Sequence, residues 1–289
     1  MRWDTTHMRI ADALKMSGLP RVETEALLAS LLKRDRAWIF ANPEIAIDSE
    51  VAKKFKEWCD RRRHHEPIAY IIGEKEFFGR SFLVDRSVLI PRPATEGLVA
   101  LALRFLETGQ EEIVELDSGI VGIARKTKER CHGELVTPWH RISPFDELRV
   151  TSIVDIGTGS GCIAVTIALE RPDLNIIATD ISAEALKIAR KNAERHGVSN
   201  RIDFRYGKNL EPLQELDEPF AIVSNPPYIP EGTKLERDVV DYEPHRALFA
   251  GPDGMDVLTI LFDQAKSHPF CRGIMMECQA DQTRSIDRM

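Results

Sequence analysis

The chain has little of what marks a secreted, membrane-spanning or nucleic-acid-coating protein. Its 289 residues include 5 cysteines, at positions 59, 131, 162, 271 and 278, and no CxxC pair. An odd, scattered set of thiols excludes a disulfide framework and fits a reducing, cytosol-like compartment. No run of about 18 apolar residues occurs, so no stretch reads as a membrane-spanning helix. Met1 to Met8 is polar and carries Asp4, so a secretory apolar core is missing from the N-terminal stretch. Positive charge is also in short supply. The net charge of −7 disfavours binding nucleic acid through its phosphates, which needs a basic face. One local basic run, Arg61-Arg62-Arg63-His64-His65, reads as the solvated end of a helix, where cations are favourable. Cys131-His132 is at most half a metal site, and nothing nearby completes it, so no metal is expected. A cytoplasmic protein is the expectation.

What is present is enough apolar sequence, 43%, for a packed core, in two contrasting patterns. Residues 1–73 read as a helical bundle. Ile10, Ala13 and Leu14 share a face of a helix from Thr5 to Met16 that Gly18 ends. Pro20 opens a second helix with Leu27, Leu28, Leu31 and Leu32. A third helix, with Ser49 as its cap and Asp48 beside it, carries Val51, Phe55 and Trp58. Residues 74–106 read as a hairpin turning at Gly79 and a linker. Residues 107–150, with mixed charge and weak periodicity, read as an insertion or a disordered loop. From Thr151 to the last residue, 289, strands alternate with helices. The strands are Ser152–Ile156, Asn175–Thr179, Ile202–Tyr206, Phe220–Ser224 and Gly273–Glu277. This alternation predicts an α/β fold with a doubly wound, mostly parallel sheet.

Ligands of such sheets sit at the carboxyl ends of the strands. The loop Gly157-Thr158-Gly159-Ser160-Gly161 falls there, with a helix N-terminus behind it. Glycines let a ligand lie against the backbone. The spacing departs from the dinucleotide fingerprint, because the third glycine comes one residue early. Asp180 ends the second strand, where a carboxylate can accept hydrogen bonds from both ribose hydroxyls of an adenosine. Asp155 is placed to steady the loop. Strand Ala221-Ile222-Val223-Ser224 stops at Asn225-Pro226-Pro227-Tyr228, where the prolines fix φ and hold Asn225 extended. An amide or aromatic amine nitrogen is a poor nucleophile because its lone pair is delocalised. Asn225 Oδ1 and the Pro226 carbonyl can each accept one N–H of such a group and turn its lone pair toward a methyl donor. Tyr228 would wall the planar group. The pair of motifs points to an S-adenosylmethionine-dependent methyltransferase acting on a planar nitrogen.

These residues resemble those of the PrmC/HemK family, the release-factor glutamine methyltransferases. Asp-Ile-Gly-Thr-Gly-Ser-Gly at 155–161 and Val-Ser-Asn-Pro-Pro-Tyr-Ile at 223–229 carry the likeness. Further stretches support it: 61–73, Leu89 to Glu96 with Arg92-Pro93-Ala94-Thr95-Glu96, and Tyr242-Glu243-Pro244 through Asp256. The resemblance implies a class I methyltransferase sheet and methylation of the glutamine in the Gly-Gly-Gln motif of class 1 peptide release factors. It implies that the helical domain grips the release factor, with no stable nucleic-acid binding, no membrane and a monomer expected. Gly157, Thr158, Gly159, Ser160, Gly161, Asp180, Asn209 and Asn225 would hold S-adenosylmethionine. Asn225, Pro226, Pro227 and Tyr228 would hold the glutamine, with Arg92 and Glu96 near the substrate entrance. Three features depart from the family. Ala94 stands where an acid is usual, and Lys208-Asn209 stands where an Asp usually meets the adenine. Few residues follow Cys278, where the family's sheet ends in an antiparallel pair. The last feature predicts missing C-terminal strands, a bare apolar edge at Ile274-Met275-Met276, and a truncated chain. An adenine amine methyltransferase acting on nucleic acid, and an inactive homologue that binds release factor or cofactor, are the competing readings.

Overall fold

The computed structural model describes residues 8–117, 119–126 and 150–286. The chain forms two compact units, one from residues up to 74 with 235–242, the other from 75–234 with 243–289.

The first unit is helical, with α1 (Ile10–Met16), α2 (Arg21–Leu32), α3 (Arg36–Ala41), α4 (Ser49–Arg63) and α5 (Ile68–Ile72). Ile10, Ala13, Leu27, Leu28, Ile39, Phe55 and Cys59 make its core. Thr5 lies outside the described residues, and the first helix begins at Ile10. The cap of α4 is Asp48, whose carboxylate accepts from Glu50 N; Ser49 is already helical. The basic run at the end of α4 is not a solvated face. Arg61 pairs with Glu66 at 2.8 Å, Arg62 with Glu23 at 2.8 Å, and Arg63 Nη2 donates to the Ser17 carbonyl at 2.6 Å. Each guanidinium presents several donors in a fixed fork, so three of them can clamp chain segments that the small apolar core leaves loose.

The second unit opens with a hairpin, β1 (Glu74–Phe77) and β2 (Arg80–Leu83), turning through Phe78 and Gly79 at positive φ. The stretch read as a linker is largely helical: α6 (Pro93–Thr108) buries Leu98, Val99, Leu101, Ala102, Phe105 and Leu106. Pro93 occupies its first turn, where no backbone N–H is required. The remaining strands are β3 (Glu112–Asp117), β4 (Ile120–Lys126), β5 (Ser152–Ile156), β6 (Asn175–Asp180), β7 (Ile202–Tyr206), β8 (Phe220–Ser224) and β9 (Cys271–Gln279). The principal helices are α7 (Cys162–Glu170), α8 (Ala183–Arg195), α9 (Arg237–Val240), α10 (Asp256–Ser267) and α11 (Thr283–Ile286). Of these, α9 belongs to the first unit, where Asp238 lies 3.6 Å from Arg62 and the Tyr242 hydroxyl donates to the His64 carbonyl.

The seven-stranded sheet runs β3-β4-β9-β8-β5-β6-β7. From β9 through β7 it is parallel. Central β5 and β8 are buried at every residue, as parallel strands covered on both faces must be. Helices α6, α7 and α8 share the core of one face, and α10 that of the other.

The expected bare edge is not there. β4 pairs antiparallel with β9 from Ile120↔Gln279 to Lys126↔Gly273, and β3 pairs antiparallel with β4. The antiparallel pair that the sequence reading found missing after β9 is supplied by residues 112–126, upstream of β5. The sequence pattern there suggests an insertion or loop; residues 127–149 of that stretch, with Cys131 and His132, lie outside the described residues. The physical reason is edge protection: β9 is apolar at Ile274, Met275 and Met276, and a hairpin carrying Val121, Ile123 and Ala124 covers it. Among the described residues, no helix is long and apolar enough to cross a membrane, and no cluster of His, Cys, Asp and Glu is arranged to hold a metal.

Candidate active site

A cleft opens at the carboxyl ends of β5, β6 and β8. It encloses about 1120 Å³ of empty space, its open mouth included. The Gly157–Gly161 loop, Asp180, Asn209, Asn225, Pro226, Pro227 and Arg92 all line it. The loop is built by three glycines at positive φ, Gly157, Gly159 and Gly161, a conformation other residues reach only at a cost. A Cβ on Gly157 would meet no protein atom within 4 Å, whereas one on Gly161 would press Ala189 of α8 at 3.1 Å. The first glycine therefore keeps space open, and the third lets two helices approach.

The loop is pinned from three sides. Gly157 N and Thr158 N both donate to the Thr179 carbonyl at 2.9 Å. Asp155 Oδ2 accepts from Thr158 Oγ1 at 2.6 Å and Ala164 N at 3.0 Å. Asn192, fully buried in α8, donates to the Ser160 carbonyl at 2.8 Å and exchanges bonds with Leu83 of the hairpin. Asp155 is entirely buried, and that burial, with Asp180 nearby, pushes its pKa up to about 7 despite its two donors. Asp180 Oδ2 accepts from Gly159 N at 2.9 Å and Oδ1 from Ser182 N at 2.8 Å. Its pKa is raised by burial, against the pull of these N–H groups and of Arg246 across the cleft. Each Asp180 oxygen keeps a further lone pair for a ligand. The Ser160 and Thr179 hydroxyls are buried without a partner. Such groups carry a desolvation cost until something polar meets them. An open backbone cradle, unpartnered hydroxyls and a carboxylate at the second strand's end fit an adenosine-bearing cofactor.

At the other end, Asn225 Nδ2 donates to Thr95 Oγ1 at 2.9 Å. Thr95 Oγ1 donates to Glu277 Oε2 at 3.0 Å, and the Tyr228 hydroxyl to Glu277 Oε1 at 2.7 Å. Glu277 is fully buried; burial raises its pKa, opposed by Tyr228, Thr95 and the charge of Arg92. Asn225 Oδ1 has no hydrogen-bond partner among the described residues.

Two expected site residues lie outside the cleft wall. Glu96 accepts from Phe78 N at 3.0 Å and fastens the hairpin turn. Tyr228 turns its hydroxyl to Glu277, packs against the core around α10, and does not line the cleft. Arg92 lines it while paired with Glu243. Ala94 is buried in the first turn of α6. Asn209 reaches the cleft through a left-handed backbone, φ 51°. Thr95, Glu243, Arg246 and Glu277 were not singled out from the sequence. Glu277 had a visible mark, a lone acid closing an apolar strand; Thr95 had none beyond lying in a recognised run.

Comparison with known proteins decides what this cleft belongs to. Residues 8–73 match the PrmC N-terminal domain, and residues 142–242 match the methyltransferase small domain. The release factor glutamine methyltransferase of Koribacter versatilis is 37% identical over 264 residues, 91% of this chain and 78% of that protein. That of Coxiella burnetii is 38% identical, over 94% of this chain and 83% of that protein. The chain belongs to the release factor glutamine methyltransferase family. It is an S-adenosylmethionine-dependent methyltransferase with a Rossmann-like sheet and an N-terminal helical domain. A Rickettsia bellii bifunctional methyltransferase is 34% identical over 92% of this methyltransferase, which spans 47% of that protein. Among solved structures, TrmN from Thermus thermophilus is 30% identical over 27% of this chain and 24% of its own, at a TM-score of 0.25.

Proposed function

We propose that this methyltransferase moves a methyl group from S-adenosylmethionine to the side-chain amide nitrogen of the glutamine in the Gly-Gly-Gln motif of a class 1 release factor. The observation that carries the reading is Asn225: an amide held at the lip of the cleft, its NH2 engaged by Thr95 and its oxygen free. The cofactor, when bound, supplies an electrophilic methyl group on sulfur. The residues of the chain do the rest. Asp180 accepts from the ribose hydroxyls while its existing bonds keep it still. The Gly157–Gly161 loop would hold the cofactor, with the Ser160 and Thr179 hydroxyls available to it, and Asn209 and Lys208 line the same cleft. Asn225 Oδ1 and the Pro226 carbonyl accept the two N–H groups of the glutamine amide and turn its lone pair to the methyl group. Pro227 helps keep this loop rigid. Arg92, paired with Glu243, borders the entrance. As the nitrogen bonds to the methyl carbon, the carbon–sulfur bond would break, the neutral thioether would leave, and the nitrogen would give up one proton to water, so no strong base is needed.

Such preorganised acceptors are typically worth about 100-fold or more in turnover. Asn225→Ala should therefore lower kcat by about that factor with little change in cofactor affinity. Asp180→Ala should instead weaken cofactor binding by about 1.5–3 kcal/mol, the worth of a charge-assisted bond. The deciding experiment is transfer of labelled methyl from S-adenosylmethionine to purified class 1 release factor, with the label mapped by mass spectrometry. Label on the Gly-Gly-Gln glutamine is the expected result. Transfer to DNA or RNA but not to release factor would replace this reading with the adenine-amine one.

A further inference from the structure

An asparagine amide can point either way, and only one orientation presents an acceptor to a substrate N–H. Nothing in Asn225 itself makes the choice, because the prolines that follow fix backbone and not the amide torsion. The choice is made by what lies behind it. Asn225 meets Thr95 Oγ1, and a hydroxyl donates one proton and accepts through its lone pairs. Which of these it offers Asn225 depends on its other neighbour, Glu277. A carboxylate only accepts, and Glu277 is already surrounded by donors: Thr95 on one oxygen, Tyr228 on the other. The Thr95 proton must then point to Glu277, its lone pair to Asn225, and Asn225 must answer with NH2. Oδ1 is left facing the cleft.

We propose that Glu277 and Thr95 are positioning residues of the methyl-transfer reaction, a buried chain whose acceptor end sets the direction of each hydrogen bond and so the orientation of the Asn225 amide. The elements that build the chain are distant in sequence: Thr95 is in the first turn of α6, Glu277 near the end of β9, and Asn225 and Tyr228 after β8. Their convergence serves no evident packing need, since a buried carboxylate with two hydroxyls is a costly way to fill a core. Replacing Glu277 by glutamine supplies an amide that can donate to Thr95, and the direction of the chain is no longer fixed. Replacing Thr95 by valine keeps the shape and cuts the chain.

The inference rests on the reading that Asn225 Oδ1 receives the substrate's N–H, and the experiment separates the two. Thr95→Val, Thr95→Ser, Glu277→Gln and Asn225→Ala are assayed for kcat and KM on intact release factor, for cofactor affinity by calorimetry, and for Tm. Thr95→Val and Glu277→Gln are expected to lose roughly 10- to 100-fold in kcat, the scale seen when a partner one bond removed from a reacting group is lost. Cofactor affinity should change little, while Tm should fall in Thr95→Val, which leaves a buried Glu277 oxygen without its donor. Thr95→Ser should keep most activity. The double variant Thr95→Val/Glu277→Gln should be no worse than the poorer single one, because both cut the same chain. Near-normal kcat in Thr95→Val and Glu277→Gln, beside an inactive Asn225→Ala, overturns the orientation role and leaves the site reading standing. Near-normal turnover of Asn225→Ala overturns that underlying reading. If Glu277→Gln does not fold, the threonine pair decides: equal losses in valine and serine variants, with lowered Tm, mean a packing role only.

Discussion

Asp155 shows how a residue can serve the site while standing outside the chemistry. Its carboxylate ties the glycine loop to the first turn of α7 and is entirely buried. Burial lifts its pKa from 3.8 to about 7 in the folded chain. Between those values the folded state holds a proton that the unfolded state has lost, so stability falls as pH rises from the ordinary carboxylate range toward neutrality, and levels off above it. Asp155→Asn retains an acceptor and removes the titration. The drop in urea midpoint between about pH 5 and about pH 8 should therefore be smaller in Asp155→Asn than in the parent protein. An identical pH response in both would show that Asp155 is not the group responsible. At this scale the sequence was informative wherever a residue type and its local spacing carry the chemistry. The glycine loop, Asp180 and Asn225 line one cleft. Thr95 and Glu277 could not be paired in advance, because the hydrogen bond between them spans 182 residues and neither has a distinctive neighbourhood. Glu96 was misjudged for a related reason: lying next to a site residue in sequence, it points one turn of helix away, to the hairpin.

Among the elements, α6 and the β3–β4 hairpin repay attention together. Helix α6 lies close to β9 because Gly273 leaves room for a ring: a Cβ there would come within 2.6 Å of Phe105 Cε1 and 3.2 Å of the Arg125 carbonyl oxygen. Phe105 is fully buried and the carbonyl belongs to the paired strand, so neither can yield cheaply. Gly273→Val should destabilise the protein by about 1–3 kcal/mol, the usual cost of overpacking a dense core. Chemical denaturation measures this, and an unchanged midpoint would mean that the helix can ride outward at no cost. The register also places Gly122 of β4 opposite Glu277, so the hairpin covers the strand that carries the buried carboxylate. Why was this pair of strands illegible while β5, β6, β7 and β8 were plain? β5, β6 and β8 are buried on both faces and read as apolar runs bounded by turns, and β7 alternates buried Ile202 and Phe204 with more exposed residues. β3 is an edge strand with alternating exposure and three acids in its six residues, Glu112, Glu115 and Asp117. Its composition resembles a loop, and only a distant partner makes it a strand. Helix α6 was legible in principle, with apolar residues at 98, 101, 102, 105 and 106. Pro93, in the first turn, marks its start.

Over the whole molecule, the chain divides into a helical unit and a sheet unit, and residues 235–242 return to the helical one. That segment follows closely on Asn225–Tyr228 in the chain and gave no periodic sign of belonging elsewhere. The relatives are named for methylating a glutamine of a release factor, and the helical unit is a compact body with a core of its own. If that unit grips the release factor, binding energy far from the reacting nitrogen serves to orient it. Intact release factor should then be methylated with kcat/KM at least about tenfold above that of a short Gly-Gly-Gln peptide, since truncated substrates lose remote binding energy. Equal values for protein and peptide would assign recognition to the cleft alone.

The place of the hairpin in the chain also has a consequence in time. A ribosome completes residues 112–126 before it begins the parallel strands, and β9 comes last among the described strands. In a sheet whose antiparallel pair follows the edge strand, that strand waits unpaired until its cover has been synthesised. Here the order is reversed. Every strand that β9 will touch, β4 on one side and β8 on the other, has already been made when Ile274, Met275 and Met276 leave the ribosome. This apolar stretch of the sheet is born into a slot instead of onto an open border.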